Sequence, residues 1–161
     1  MQVKKVVAIA VFSAIVCAPV SLLAHPHVWI QYDAQARLID GGVSSVLVRW
    51  TFDELFSKTL IKDMDENGDL EFQPEEVAIV YEYAFIGLEQ SSFFANVWIG
   101  GDSVALGDAE RFDASIVDGA VVYEFDLLVD APPGRVSQVD VAFVDLTNFI
   151  AFGPVANRLP E

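Results

Sequence analysis

Cysteine is all but missing from the chain. The single one, Cys17, lies in an N-terminal stretch that reads as a leader. A domain without it has no disulfide and no thiolate to offer a metal or a substrate. Histidine is nearly as scarce: His25 and His27 are the only two. Basic residues number 9 against 24 acidic ones. So acidic a chain repels nucleic acid and anionic membrane surfaces and attracts cations. The usual catalytic signatures are absent as well. There is no nucleophile elbow, no paired-histidine zinc helix, no phosphate loop and no dinucleotide fingerprint. Acid pairs suited to a two-carboxylate hydrolase are present, but none stands out. A non-enzymatic role is the expectation.

What is present begins with the leader. Lys4 and Lys5 precede an apolar run over residues 6–16, broken only by Ser13. Pro19 interrupts it, and Ser21-Leu22-Leu23-Ala24 follows. Basic start, apolar centre, breaker and small residue are the parts of a secretory signal. The expected cut follows Ala24, so residues 1–24 form the signal peptide and residues 25–161 one periplasmic domain. A retained membrane anchor is the rival reading, since residues 6–24 nearly reach the roughly 20 needed for a span. Pro19 and the serines count against it. Loss of Lys4 and Lys5 leaves 7 basic residues against 24 acidic ones and moves the formal charge from −15 to −17. Peripheral or no membrane contact is expected of such a surface.

Alternation of apolar residues predicts strands over residues 28–38 and 43–52, joined at Asp40-Gly41-Gly42. The period then changes. Residues 53–62 and 74–88 carry helical spacing, with Pro74 at a first helical position and Glu75 and Glu76 at the positive end of the dipole. Strands return over residues 93–99, 103–106, 111–117, 120–129, 136–146 and 149–152, with Asp118-Gly119 a strong hairpin signal. The expectation is an α+β fold: an antiparallel β-sheet or sandwich with a two-helix, EF-hand-like insertion at about residues 53–90.

Two places could hold metal. Cleavage after Ala24 makes His25 the new terminus, so its amine and imidazole can bind one ion, with His27 two residues on along an extended strand. Pro26 has no amide proton, which closes the copper/nickel mode that uses deprotonated backbone nitrogens. Imidazole suits zinc, copper and nickel. Two solvated histidines at a frayed end are the plainer alternative. The second place is the acidic stretch from Asp63 to Leu70, which matches a calcium loop: Asp63, Asp65 and Asn67 at positions one, three and five, Gly68 at six and the Asp69 carbonyl at seven. Position twelve falls on Pro74, so Glu75 is the expected closing ligand after a one-residue adjustment. A solvated acidic turn is the alternative here. Hard oxygen donors favour calcium over a transition metal.

The order His25-Pro26-His27-Val28-Trp29-Ile30, then Trp50-Thr51-Phe52-Asp53-Glu54-Leu55-Phe56-Ser57, then the 63–70 loop, resembles a family of exported bacterial proteins catalogued as a domain of unknown function. A last segment, Val144-Asp145-Leu146-Thr147-Asn148-Phe149, matches more loosely. Members are often encoded beside inner-membrane permeases of the nickel/cobalt type, and some are linked to zinc. The resemblance implies a periplasmic accessory that hands a divalent metal, zinc foremost, to a permease partner. A calcium-stabilised interaction module is the alternative.

Overall fold

The computed structural model describes residues 27–131, 134, 136 and 138–155. Strands β1 (Val28–Ile39) and β2 (Gly42–Phe52) form the expected hairpin. Asp40 and Gly41 both take positive φ at its turn, where a flexible backbone is needed. Along β2, Val46, Val48, Trp50 and Phe52 are all buried. The chain then enters helix α1 (Glu54–Met64), passes a loop, and forms helix α2 (Pro74–Val80), a π-helical turn (Tyr81–Phe85) and a 3-10 segment (Ile86–Phe94). Strands β3 (Ala95–Ile99), β4 (Asp102–Ser103), β5 (Ala105–Val117), β6 (Ala120–Asp130), β7 (Val139–Phe143) and β8 (Ile150–Pro154) follow.

These strands make two sheets. One has five strands in the order β5-β6-β2-β1-β8, the other three in the order β4-β3-β7. Every pairing is antiparallel except β1 with β8, which is parallel. The class is therefore α+β, mostly antiparallel, with two helices between the second and third strands. Among the described residues no helix is long and apolar enough to cross a membrane.

Aromatic rings fill the space over the inner face of the large sheet. Trp50 meets Phe125, Phe143 and Phe152 at centroid distances of 5.1, 5.6 and 5.4 Å. Phe143 comes from β7, so this cluster joins the small sheet to the large one. The insertion packs beside it. Phe56 of α1 stacks on Phe52 at 5.0 Å, and Phe85 meets Phe112 at 4.1 Å and Phe125 at 5.0 Å. Ring pairs of this kind add about 0.5–1.5 kcal/mol beyond burial of their area.

Two differences from the sequence expectation have local causes. The second helix is not one α-helix to residue 88. After Val80 an i→i+5 turn intervenes, with the Ile86 amide donating to the Tyr81 carbonyl, and Gly87 follows. Such a π-turn shifts the side-chain register by about one residue, and here it accompanies the burial of Phe85 against the sheet. Residues 103–106 and 111–117 are not separate strands. They belong to β4 and to one long β5, whose pairing with β6 slips between Leu106 and Ala109 and again between Glu110 and Asp113. At the first slip, a Cβ at Gly107 would lie 3.2 Å from the Leu128 Cβ, a tight approach that Leu128 would have to yield a few tenths of an ångström to admit. At the second, Arg111 has a φ of 52°. Its guanidinium pairs with the buried Asp126 carboxylate. Arg37 Nε of β1 lies 2.7 Å from the other Asp126 oxygen, as an ion pair without hydrogen-bond alignment.

Candidate metal-binding regions

The beginning of β1 is held from two sides. Asp53 caps α1: its Oδ1 accepts from the Leu55 and Phe56 amides at 2.9 and 3.0 Å. Its Oδ2 accepts from the Trp29 amide at 2.8 Å, and its own amide donates to the Trp29 carbonyl at 2.9 Å. One carboxylate thus serves the helix start and the first strand together. Deleting such a cap costs about 0.5–2 kcal/mol. On the other side, the Phe149 carbonyl accepts from the His27 and Val28 amides at 2.8 and 3.2 Å. The His27 and Phe149 rings are 5.0 Å apart.

Phe149 is positioned by Asp145. This buried carboxylate accepts from the Thr147 amide at 2.8 Å, the Thr147 hydroxyl at 2.7 Å and the Ile150 amide at 2.9 Å. Asn148 takes a φ of 59° in the resulting turn. The turn delivers β8 alongside β1 with Val28 opposite Ile150. The alternation predicts strands over residues 136–146 and 149–152, but β7 ends at Phe143 and β8 starts at Ile150, and the Asp, Thr and Phe between them are the parts that place His27. Desolvation of Asp145 works against its charge, but the Thr147 hydroxyl and the amides of Ile150, Thr147 and Phe149 outweigh it and lower its pKa. A carboxylate with a depressed folded pKa stabilises fully above its unfolded pKa, and that contribution is lost as pH falls through the folded value. Asp145→Asn is therefore expected to lower the urea midpoint at about pH 7 and to flatten its decline below about pH 4. Parallel midpoint curves for parent and variant across that acid range would contradict the assignment.

His27 is exposed at the edge of the described structure, while His25 lies outside the described residues, as do residues 1–24, read from the sequence as a leader.

The acidic loop is fully described. Asp63 lies in the last turn of α1 and is exposed, and Glu75 is exposed as well. The carboxylates turned inward are Asp65 and Glu76, 8 % and 5 % exposed. Asp65 accepts from the Gly68 amide at 2.8 Å and the Leu70 amide at 3.0 Å. Asn67 accepts from the Asp69 amide and Asp69 from the Glu71 amide, at 2.8 and 2.9 Å. Glu76 reaches back to accept from the Glu66 and Gln73 amides, both at 2.8 Å. Asp65, Asn67, Asp69 and Glu76 stand at positions one, three, five and twelve of a loop running over residues 65–76. That is two residues later than the spacing from Asp63 suggested. The sixth residue, where calcium loops carry glycine, is Leu70, with a φ of 64°. A start at Asp65 ends on a glutamate without any adjustment, whereas glycine at residue 68 fits the sixth position of the register that starts at Asp63.

Among the described residues, no group of three or more His, Cys, Asp or Glu side chains is gathered tightly enough to hold a metal ion. The donor set of the loop is nevertheless chemically suited to a hard cation. Each inward oxygen that accepts one amide proton keeps a further lone pair.

The family model for a protein of unknown function, DUF1007, matches residues 10–158, nearly the whole chain. The chain belongs to the DUF1007 family. No curated protein and no solved structure matches it. In this DUF1007 protein the match spans the β1 start, both helices, the loop and the Asp145 turn, so the features described above all lie within the family domain.

Proposed function

We propose that this DUF1007 protein is an exported divalent-metal-binding accessory of an inner-membrane metal permease, not an enzyme. His25 and His27 are its transition-metal ligands, with zinc foremost and nickel or cobalt next. The loop over residues 65–76 is a separate hard-cation site of EF-hand type, with calcium as the ion. The observation that carries cation binding is the loop's hydrogen-bond frame, in which Asp65 and Glu76 face inward from its two ends. The formal charge of −15 concentrates cations near both places. For the histidines, the support is that His27 is tied by its main chain to a turn built for that purpose, at the point where the chain emerges into the domain. A bound zinc would take imidazole nitrogen, and a bound calcium would take carboxylate and carbonyl oxygen.

The metal content of untagged protein, exported through its own leader, tests the assignment. Near-stoichiometric zinc, nickel or cobalt is expected in the parent and is expected to be lost in His25→Ala or His27→Ala. Calcium alone, unchanged in both variants, would favour a calcium-stabilised interaction module and remove the transition-metal role. Calcium is expected to raise the melting temperature of the parent, as any ligand of the folded state does. Glu76→Gln, which retains a hydrogen-bond acceptor but not the charge, is expected to lose most of that rise.

A further inference from the structure

Asparagine occurs four times in the chain, as Asn67, Asn96, Asn148 and Asn157, and only Asn67 is followed by glycine. The main-chain nitrogen after an asparagine can attack the side-chain carbonyl carbon and close a five-membered ring. A side chain on that following residue obstructs the attack, and glycine has none. Asn67 and Gly68 are both exposed and lie outside helix and strand. Gly68 has a φ of 72°, and a Cβ built on it would meet nothing within 4 Å, so the space beside it is open. The other described asparagines are placed differently. Asn96 lies in β3 opposite Ala142 of β7 and is followed by the β-branched Val97, while Asn148 is followed by Phe149. Two hydrogen bonds hold the Asn67-Gly68 pair. The Gly68 amide donates to Asp65 Oδ1 at 2.8 Å, and Asn67 Oδ1 accepts from the Asp69 amide at 2.8 Å. Asp65 is itself buried and tied to the Leu70 amide. A carboxylate beside the Gly68 N–H opposes loss of its proton, because a negative charge disfavours the making of a second one next to it. The other bond fixes the carboxamide on the loop's own main chain. The fold therefore restrains a dipeptide that is reactive by its covalent structure.

We propose that Asn67 is a modification site, converted to aspartate and isoaspartate without an enzyme, and that the Asp65–Gly68 hydrogen bond is its gate. When that bond opens, the Gly68 nitrogen loses its proton to solvent and bonds to Asn67 Cγ. The Cγ–Nδ2 bond breaks, and the side-chain nitrogen leaves as ammonia. Water then opens the ring at either carbonyl, giving aspartate or the isomer whose main chain runs through the side chain. The sum is asparagine plus water to acid plus ammonia, with no redox change. Asn67 is third in the loop over residues 65–76, and the affinity of such loops is tuned by the number of charged ligands. Conversion to aspartate therefore tightens the cation site, a consequence that rests on the calcium reading above. The exported protein is incubated at neutral pH, the peptides carrying Asn67, Asn96 and Asn148 are followed by mass, and an isoaspartate-specific methyltransferase scores the isomer. Conversion is expected to be several-fold faster at Asn67 than at the other two. Asp65→Ala is expected to speed it by about tenfold, the scale of one hydrogen bond to a charged acceptor. If Asp65→Ala does not fold, the parent in urea decides, since it keeps the dipeptide, loses the gate and is expected to convert Asn67 faster by a similar factor. Equal conversion at the three asparagines, or no acceleration in folded Asp65→Ala or in urea, would overturn the proposal. Calcium titration of Asn67→Asp is expected to show several-fold tighter binding than the parent. No gain there overturns the consequence for the loop together with the calcium reading, and the peptide masses report the modification independently of both.

Discussion

Glu76→Ala is expected to destabilise the domain by about 2–4 kcal/mol and to abolish its response to calcium, while Glu75→Ala changes either by no more than about 0.5 kcal/mol. The two glutamates are neighbours in sequence and differ entirely in surroundings. Glu75 points to solvent. Glu76 is buried and accepts from the Glu66 amide at the head of the loop and the Gln73 amide at the start of α2. Its removal strands two amide donors and also takes away the candidate cation's closing carboxylate. Hydrogen bonds to a charged acceptor contribute about 1.5–3 kcal/mol each, and partial access of water to the loop brings the sum down. Urea unfolding with and without calcium measures both effects. Equal losses in the two variants would return the loop to the register that starts at Asp63 and closes on Glu75.

Phe85→Ala is expected to cost about 3–5 kcal/mol, the range for emptying a large aromatic from a close-packed interior. Phe85 is 1 % exposed and touches the rings of Phe93, Phe112, Tyr123 and Phe125. It is the insertion's anchor on the large sheet. A loss of that size is a large part of the roughly 5–15 kcal/mol that holds a domain folded. The insertion is expected to loosen first, visible as faster amide exchange over residues 77–94 than in β2 or β6. A variant with unchanged midpoint and uniform exchange would show that the insertion is held by other contacts.

Several elements could be read directly from the chain because their causes are local. The β1–β2 hairpin follows from alternation on both sides of Asp40-Gly41, and α1 from an aspartate followed by helically spaced apolar residues. Asp53 shows where such reading stops. As an N-cap it needs only the residues after it, but its second oxygen holds the Trp29 amide, twenty-four residues earlier, and no local pattern announces that. The same holds for Asp145. Its partners Thr147 and Ile150 are near in sequence, while the result of the turn, a parallel β8 beside β1 that supports His27, depends on the whole sheet.

The acidic loop separates the two kinds of information most clearly. The sequence by itself determined that a run of hard oxygen donors sits between two helices, because that depends only on residue type and spacing. Tertiary structure decided which donors face inward: both Glu75 and Glu76 suit the first turn of a helix, and the buried one is the one aimed at the loop when α2 packs on β5. Composition likewise determined the acidity and the scarcity of cysteine. A pocket of about 110 Å³ between the large sheet and the insertion, lined by Trp50, Tyr123, Phe56 and Leu88, was decided by packing alone. Each residue in its wall reads as ordinary core in the sequence, and a void exists only where side chains from separate elements meet and fail to fill the space between them.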